Sequence, residues 1–408
     1  MIPAYVDALC KEIEFVGLNA ERSRSDSEGA VEVHTIFFGG GTPSLLTPKQ
    51  FESIFNSIHS TFDLTLDAEI TIEANPGTVT YEALCQLKGI GINRISFGVQ
   101  SANSFELKML ERTHDFFTVI EAVTSARKAG FDNLNLDLIY GLPEQTLSTW
   151  QTTVQRILDL HPEHISAYAL TLEHGTPFGR WASKGILPLP DPDLAAEMYE
   201  WASETFEANG YMNYEISNWA KTKAEGGMQN NKEHSSPRRA QDTAFSIHQS
   251  SFACRHNLQY WRSLPYLAFG AGAHGYANGY RYSNVLRIKT YMDRLADSDT
   301  RISTSYPKGN IEFPLSPATV NQHKQTLKDD MSEFMMTGLR LTQEGVSVAE
   351  FENRFDQKIE TVFGREIQEL LKFGLLESKT SEVSETSEVL CLTKRGRLLG
   401  NQVFMRFV

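Results

Sequence analysis

Three glycines and a threonine, Gly39–Thr42, directly follow the short apolar run at 33–38. Such a run predicts a buried strand, and Pro43 keeps that strand from continuing. Glycine costs about 1 kcal/mol relative to alanine in an ordered element, so three in a row favour a loop that a ligand approaches closely. Backbone N–H groups in such a loop suit a carboxylate or a phosphate. A tight strand-to-helix turn is the simpler alternative.

Three more polar side chains stand at or near the ends of later apolar runs: Glu73, Gln100 and Asp137. Each has a plain explanation as a capping or turn residue. If the runs are parallel strands, however, their carboxyl ends meet at one mouth, where ligands bind in α/β barrels. Carboxylates there suit ribose hydroxyls or an α-ammonium group. We therefore expect a polar ligand that resembles a nucleoside or an amino acid.

Alternating strand and helix patterns must position these residues. The short turns between them predict a parallel sheet with right-handed crossovers. Thr47 is the expected N-cap of the second helix, and Gly89 is the expected C-cap of the third. The predicted strands cover 33–38, 69–73, 94–99, 134–139 and 164–172, and the predicted helices cover 4–18, 48–62, 80–88, 116–129 and 147–160.

The second half of the chain begins with a predicted helix over 193–209 and a polar segment at 221–252 that is typical of a flexible insertion. The run at 254–261 then places a histidine, His256, among aromatic residues. Its spacing alone favours a packed helix over a docking site for a planar apolar molecule in which His256 or Cys254 binds a metal. Gly270–Gly275 fits G-x-G-x-x-G, but no helix pattern follows, so we interpret it as a turn beside the ligand cavity.

The last third of the chain predicts a helical unit with a two-stranded wing around a polar tip at 379–388. The net charge of −13 argues against a nucleic-acid partner, so an interaction or covering role fits this winged-helix-like unit better. The predicted domains are a barrel at 1–220, an insertion at 221–252, a connecting segment at 253–330 and the winged unit at 331–408.

Composition predicts a cytoplasmic protein. No apolar run approaches the roughly 20 residues of a membrane helix, and residues 1–5 resemble neither a secretory signal nor a transit peptide. A leader ahead of residue 1 would change this expectation to an organelle. The four cysteines, which indicate a reducing compartment and offer no zinc or iron–sulfur motif, are Cys10, Cys85, Cys254 and Cys391.

Taken together, the motifs resemble the coproporphyrinogen-oxidase-like radical S-adenosylmethionine (SAM) proteins, and within them the HemW haem-chaperone branch. The resemblance covers nearly the whole chain outside 221–252. The segments that carry it are Gly39–Ser44, Glu73–Thr78, Ser96–Ser101, Arg112–His114, Asn135–Pro143, His256–Trp261 and Gly270–Tyr276.

This resemblance implies a partial (β/α)6-type barrel that binds SAM, followed by a mainly helical, winged-helix-like domain. It also implies haem binding at the HNxxYW motif, with His256 as the iron ligand, which reverses the preference from spacing alone. The implied SAM residues are Gly40, Gly41, Thr42, Glu73, Gln100, Arg112 and Asp137, and the implied haem residues are His256, Asn257, Tyr260 and Trp261.

The chain departs from the family at its start. The family places a Cx3Cx2C loop that binds a [4Fe–4S] cluster after the first barrel strand, and neither is in this sequence, where Cys10 has no companions. We therefore expect no cluster and no radical chemistry from the chain as given, and assign no catalytic residue. Two functions stay open, a haem chaperone and an oxygen-independent coproporphyrinogen III oxidase; retained SAM binding alone is a weaker third. The haem acceptor is not identified by sequence, and a homodimer is one candidate assembly.

Overall fold

The computed structural model describes residues 1–22, 32–172, 177–185, 188–222, 252–296, 316–380 and 388–408. Nearly all of the insertion expected at 221–252, and most of the predicted polar tip of the wing, lie outside these residues. Within the described part, no helix is long and apolar enough to cross a bilayer.

The first half of the chain alternates helices and strands, as its sequence pattern predicts. Its elements are α1 (Ile2–Arg22), β1 (Glu32–Phe38), α2 (Pro48–His59), β2 (Asp63–Ala74), α3 (Tyr81–Ile90), β3 (Arg94–Gln100), α4 (Ser104–Met109), α5 (Phe116–Lys128), β4 (Leu134–Tyr140), α6 (Leu147–Leu158), β5 (His164–Ala169), α7 (Pro177–Ser183) and α8 (Pro192–Ala208).

The second half contains shorter elements. They are β6 (Tyr211–Glu215), β7 (Asn218–Lys221), α9 (Arg255–Trp261), β8 (His274–Ala277), β9 (Tyr280–Asn284), α10 (Ile288–Ala296), β10 (Thr319–Lys324), α11 (Leu327–Gly338), β11 (Val346–Ser347), α12 (Val348–Phe355), α13 (Ile359–Lys372), β12 (Leu376–Thr380), β13 (Glu388–Leu392), α14 (Lys394–Leu398) and α15 (Gly400–Phe404).

A seven-stranded sheet of order β1-β2-β3-β4-β5-β7-β6 forms the larger body. The first five strands are mutually parallel, which confirms the expected parallel sheet. Strands β1 and β6 lie at the two edges, so the sheet is open and forms part of a barrel. Buried apolar side chains from the strands and their helices, such as Phe97, Leu136 and Trp150, form one core around it.

Two strands of this sheet were not predicted. Strands β6 and β7 form a hairpin, and β7 pairs antiparallel with β5 through Ile165 and Trp219. No helix separates β6 from β7, so the alternation of strand and helix does not mark them. Their sequence also mixes polar with aromatic residues, so it shows neither the two-residue period of a strand nor the 3.6-residue period of a helix. The hairpin continues the open sheet beyond β5.

The helix caps confirm one prediction and correct another. Thr47 and Gln50 form a reciprocal capping box at the start of α2. Helix α3, however, ends at Gly91 and not at Gly89, because Gly91 adopts the left-handed φ of 115° that closes the last turn. Gly89 stays helical, since nothing at that position requires a positive φ.

The C-terminal unit has its own apolar core and a small antiparallel sheet of order β11-β13-β12 against helices α11 to α13. This matches the expected mainly helical, winged-helix-like unit. Ser347 is the N-cap of α12, as its position before the helix predicts, and it accepts a hydrogen bond from the Glu350 N–H.

Candidate functional site

A polar cavity of about 490 Å³ lies at the carboxyl ends of the parallel strands. This is the place where α/β sheets bind ligands. The expected SAM residues that line it are Gly41, Thr42, Glu73, Gln100, Arg112 and Asp137. Gly40 lines the second cavity described below instead, and its N–H donates to Glu73 Oε2 over 3.2 Å.

Two carboxylates, Glu73 and Asp137, line this cavity. Burial raises the pKa of Glu73, and the nearby charge of Asp137 raises it further. Burial also raises the pKa of Asp137, although Ser96 and Asn135 donate hydrogen bonds to it at 2.7 and 2.8 Å. Two like charges held together in a desolvated space favour a cation between them.

A positively charged side chain stands on the same wall. The Arg112 Nε is buried and has no hydrogen-bond partner in the described part of the chain, and burial lowers the pKa of this guanidinium. Gln100, held at a positive φ of 68°, also lines the cavity. An arginine that lacks a protein acceptor suits a ligand carboxylate. The cavity therefore fits a molecule that carries both charges, as the methionyl part of SAM does.

The three glycines of the loop do different things. A Cβ on Gly39 would meet the Phe37 ring at 2.7 Å, so this glycine is required by packing. Gly40 has a φ of 102°, which a side chain would strain. Gly41 needs neither explanation, because nothing lies within 4 Å of the point that a Cβ would occupy there, and it faces the cavity. Gly41 is thus the glycine of this loop whose bare backbone opens onto the cavity.

The floor of the cavity holds polar residues that the sequence pattern did not reveal. Arg94 is only 1% exposed; burial disfavours its charged form, but the carboxylates of Glu69 and Asp137 favour it, and on balance the pKa of the guanidinium is raised. His164 connects Asn135 Oδ1 at 2.6 Å with the Tyr214 hydroxyl at 2.8 Å, and burial holds its pKa well below the usual range. Arg94 and His164 each begin a strand, so a polar first residue before an apolar run was the signal that could have found them.

A second, more apolar cavity of about 590 Å³ lies beside β1. Its walls come from α1, β1, α9 and the segment before β8, with aromatic side chains such as Phe37, Tyr266 and Phe269. Ala273 and His274 also line it, so the glycine-rich turn borders this cavity and not the polar one. Glu73 and Phe37 line both cavities, which places the two spaces on either side of a shared wall.

The four HNxxYW residues on helix α9 lie in three different surroundings. His256 and Tyr260, one turn apart, line the apolar cavity. Asn257 lines the polar cavity instead. Trp261 lines neither, and its ring packs under the Arg340 guanidinium at 4.3 Å. The histidine and the tyrosine are therefore the pair placed to meet a molecule in the apolar cavity.

His256 has a contact at each of its ring nitrogens and on one face of its ring. Its Nδ1 lies 3.0 Å from the Thr35 Oγ1 and its Nε2 lies 2.7 Å from the Tyr260 hydroxyl. Its ring stacks on Phe37, with centroids 5.2 Å apart. Burial, with nearby Arg94 and His34, lowers its pKa to about 4, so the ring is neutral at pH 7. A neutral imidazole is the form that binds a metal.

The first turn of α9 is anchored by a carboxylate from β2. Glu69 accepts hydrogen bonds from the backbone N–H groups of Arg255 and His256, both at 3.1 Å, and from the Cys254 thiol at 3.4 Å. A negative charge at a helix N-terminus satisfies its unpaired donors. The sheet that forms the polar cavity thereby also fixes the position of His256.

The cysteines do not fit a [4Fe–4S] cluster. The four of them lie in α1, in α3, before α9 and in β13. Among the described residues no group of three or more potential metal ligands is found. These residues therefore support no reaction step that runs through a cluster.

Comparisons with known proteins agree with this architecture. The family model described as the radical SAM superfamily matches residues 26–157, and the one described as the HemN C-terminal domain matches residues 325–399. The solved structure of coproporphyrinogen III oxidase (HemN) from Escherichia coli, a radical SAM enzyme, superposes with a TM-score of 0.71 at 22% identity over 99% of this chain and 82% of that one. It supports the fold alone.

Curated relatives are more similar in sequence. Heme chaperone HemW of Lactococcus lactis is 33% identical over 100% of this chain and 90% of its own length. Heme chaperone HemW of Bacillus subtilis is 35% identical over 93% of this chain and 86% of its own length. Identity at this level extends through both the sheet and the C-terminal unit.

Proposed function

Because this chain belongs to the HemW family of radical SAM proteins, we propose that it binds haem in the apolar cavity beside β1 and passes it to an acceptor protein. The observation that carries this proposal is the placement of His256, a neutral imidazole on the wall of an apolar, aromatic cavity. Axial histidine ligands with an apolar surround are a common way to hold haem iron. Haem is here the molecule that is carried and handed on, and not a resident cofactor.

The cavity suits a porphyrin in size and in chemistry. Its volume of about 590 Å³ falls within the range of small-molecule sites, which are mostly apolar with a few placed polar groups. Phe37, Tyr260 and Tyr266 supply flat apolar surface on its walls. His34, whose ring lies 3.1 Å from the Gln259 amide oxygen, is a polar group at the same wall.

We propose that SAM occupies the polar cavity. Glu73 and Asp137 would hold its cationic groups, Arg112 would meet its carboxylate, and the bare backbone at Gly41 and Thr42 would lie along the methionyl end. The chain's own residues bind and orient SAM there, and no reaction step is assigned to it. A [4Fe–4S] cluster, which the family uses to cleave SAM, has no ligand set among the residues that the structure describes.

An extended peptide strand is the competing occupant of the apolar cavity. Strand β1 pairs only with β2 among the described residues, so its outer edge is open to strand addition. A strand on that edge would run along the same cavity. Haem binding that is abolished by a β1-pairing peptide would show that the two share the space.

The proposal is tested by haem transfer. The haem-loaded protein, freed of excess haem, is mixed with apomyoglobin, whose spectrum reports haem arrival. We expect transfer that depends on loaded protein and runs faster than spontaneous release into buffer. Absence of a stoichiometric Soret complex, or release at the same rate with and without the acceptor, would contradict the chaperone function.

The second candidate is an oxygen-independent coproporphyrinogen III oxidase, which the fold match to HemN favours. Anaerobic growth of an oxidase-deficient host that carries this gene separates the two. We expect no rescue from this chain, and rescue would favour the oxidase over the chaperone.

A further inference from the structure

The proposed iron ligand has no free lone pair in this structure. Each ring nitrogen of His256 lies at hydrogen-bond distance from a hydroxyl, Thr35 Oγ1 on one side and Tyr260 on the other. A neutral imidazole has one N–H and one lone pair, and a phenol donates well to such a lone pair. Nothing in the HNxxYW pattern indicates the Thr35 contact, because Thr35 and His256 are 221 positions apart in the sequence.

We propose that Tyr260 is a gate that occupies the iron-binding Nε2 of His256, and that Thr35 is a positioning residue that holds the opposite nitrogen in its protonated form. The inference rests on the proposed function and deepens it, because it assigns a closed and an open state to the haem ligand. Haem is admitted when the Tyr260 hydroxyl leaves Nε2.

Thr35 decides which nitrogen is available. The two atoms lie 3.0 Å apart, and in the proposed arrangement the Thr35 hydroxyl accepts a hydrogen bond from Nδ1–H, which leaves the lone pair on Nε2, the nitrogen on the Tyr260 side. Histidine ligands in metal sites are commonly fixed in this way by a hydrogen bond on their second nitrogen. Thr35 lies on β1 and His256 on α9, so the sheet sets the tautomer of the helix residue.

The Tyr260 ring packs against a second aromatic side chain while its hydroxyl is bonded to His256. This ring meets Tyr266 edge-on with centroids 4.4 Å apart, and both rings line the apolar cavity. The phenol stays protonated, since burial raises its pKa. It therefore acts as a hydrogen-bond donor that can be displaced, and not as a phenolate that competes for iron.

The exchange balances without any redox step. One O–H···N hydrogen bond breaks and one Fe–N bond forms. Tyr260 keeps its proton, Nδ1 keeps the proton held by Thr35, and the iron keeps its oxidation state. The ligand that leaves iron is the water or hydroxide of free haem.

Stopped-flow haem binding tests the gate with Tyr260→Phe, and with Tyr81→Phe as a matched control at an exposed tyrosine of α3 that lines neither cavity. Removing one hydrogen bond from the closed state should speed haem association about 5- to 10-fold in Tyr260→Phe, with an unchanged Soret position. Tyr81→Phe should bind at the wild-type rate. An unchanged rate in Tyr260→Phe overturns the gate, and a shifted Soret band shows that Tyr260 is itself an iron ligand.

The role of Thr35 is tested without haem. Long-range ¹H–¹⁵N NMR of the protein labelled at histidine nitrogens should show His256 protonated at Nδ1 in wild type and in Thr35→Ser. Thr35→Val should lose this preference and release haem about tenfold faster. Wild-type His256 protonated at Nε2 would overturn the proposal even if haem binds. Failure of wild type to bind haem, with Nδ1 protonated, would instead count against the proposed function alone.

Discussion

At the scale of single residues, the paired carboxylates of the polar cavity have opposite consequences for binding and for stability. Glu73 and Asp137 lie in a desolvated space, and burial raises the pKa of each. Their ionised forms are therefore disfavoured in the folded protein and would be stabilised by a bound cation. Such sites commonly trade stability for function.

The first prediction concerns SAM affinity and pH. The two carboxylates must be ionised to hold a cation, and their raised pKa values bring protonation closer to neutral pH. SAM affinity should therefore fall as the pH drops from about 7.5 to about 5.5. Asp137→Asn should weaken SAM binding about tenfold or more at pH 7.5 by calorimetry. Asp132→Asn, at an exposed position just before β4, should not change it.

The second prediction concerns stability at the same site. Glu73→Gln keeps an acceptor for the Gly40 N–H and removes a desolvated charge next to Asp137. Because the folded-state pKa of Glu73 is raised, the stability linked to this group is present at low pH and is lost as pH rises through that pKa. The variant should melt ~1–2 °C higher than wild type at pH 7.5 and show no gain at pH 4. A lower melting temperature at pH 7.5 would contradict the burial argument.

The sequence predicted part of this site for physical reasons. Parallel strands must bring Glu73, Gln100 and Asp137 to one mouth, so their convergence followed from the alternation of elements alone. Arg112 and the haem residues came from family resemblance. Arg94 and His164 were missed because a single polar residue at the start of an apolar run does not by itself show that its side chain faces a cavity.

At the scale of elements, one buried carboxylate joins the start of the chain to its second half. Glu12 on α1 is fully buried and accepts hydrogen bonds of 2.7 Å each from the Gly270 N–H, the Asn284 amide and the Tyr291 hydroxyl. Burial raises the pKa of Glu12, although these donors oppose the rise. The glycine-rich turn at Gly270 therefore serves to dock α1.

The third prediction follows from this cluster. Glu12→Ala leaves three buried donors without their acceptor, each of which costs about 1–3 kcal/mol. The variant should lose at least ~2 kcal/mol of unfolding free energy by urea denaturation. Asp7→Ala, exposed on the same helix, is the control and should change it by less than about 0.5 kcal/mol. Equal effects of the two changes would contradict the docking role of Glu12.

The fourth prediction concerns the anchor of α9. Glu69→Ala removes the acceptor of two backbone N–H groups at the start of the helix, so it should destabilise the protein by ~2 kcal/mol and weaken haem binding with it. Asp67→Ala is the control. Its exposed carboxylate pairs with Arg255 at 3.3 Å, and exposed ion pairs contribute little. Haem titration and thermal melting of both variants measure the effect.

The helices and strands of the first half could be predicted, because strong periodicity and caps such as Thr47 mark them. The buried carboxylates that anchor distant elements could not be predicted. Glu12 and Glu69 meet partners more than 180 residues away, and no local pattern records such a pairing. The β6–β7 hairpin was missed for a different reason, since its strands gain their burial from β5 and α8.

At the scale of the whole molecule, the C-terminal unit is joined to the helix that carries the HNxxYW motif. Arg262, directly after α9, forms an ion pair with Glu344 at 2.6 Å, and Arg340 covers Trp261. On the other side, Thr342 donates to the Asn213 carbonyl over 2.6 Å. The family resemblance predicted a partial barrel followed by a winged-helix-like unit. Only the three-dimensional arrangement shows that α9 contacts both of them.

The proposed role of His256 is to hold haem in the apolar cavity. Haem titration of wild type, His256→Ala and His274→Ala tests this role, since His274 is a second histidine on the same cavity wall. We expect a one-to-one Soret complex in wild type and in His274→Ala, and at least about tenfold weaker binding with a shifted band in His256→Ala. An unchanged band and affinity in His256→Ala would contradict it.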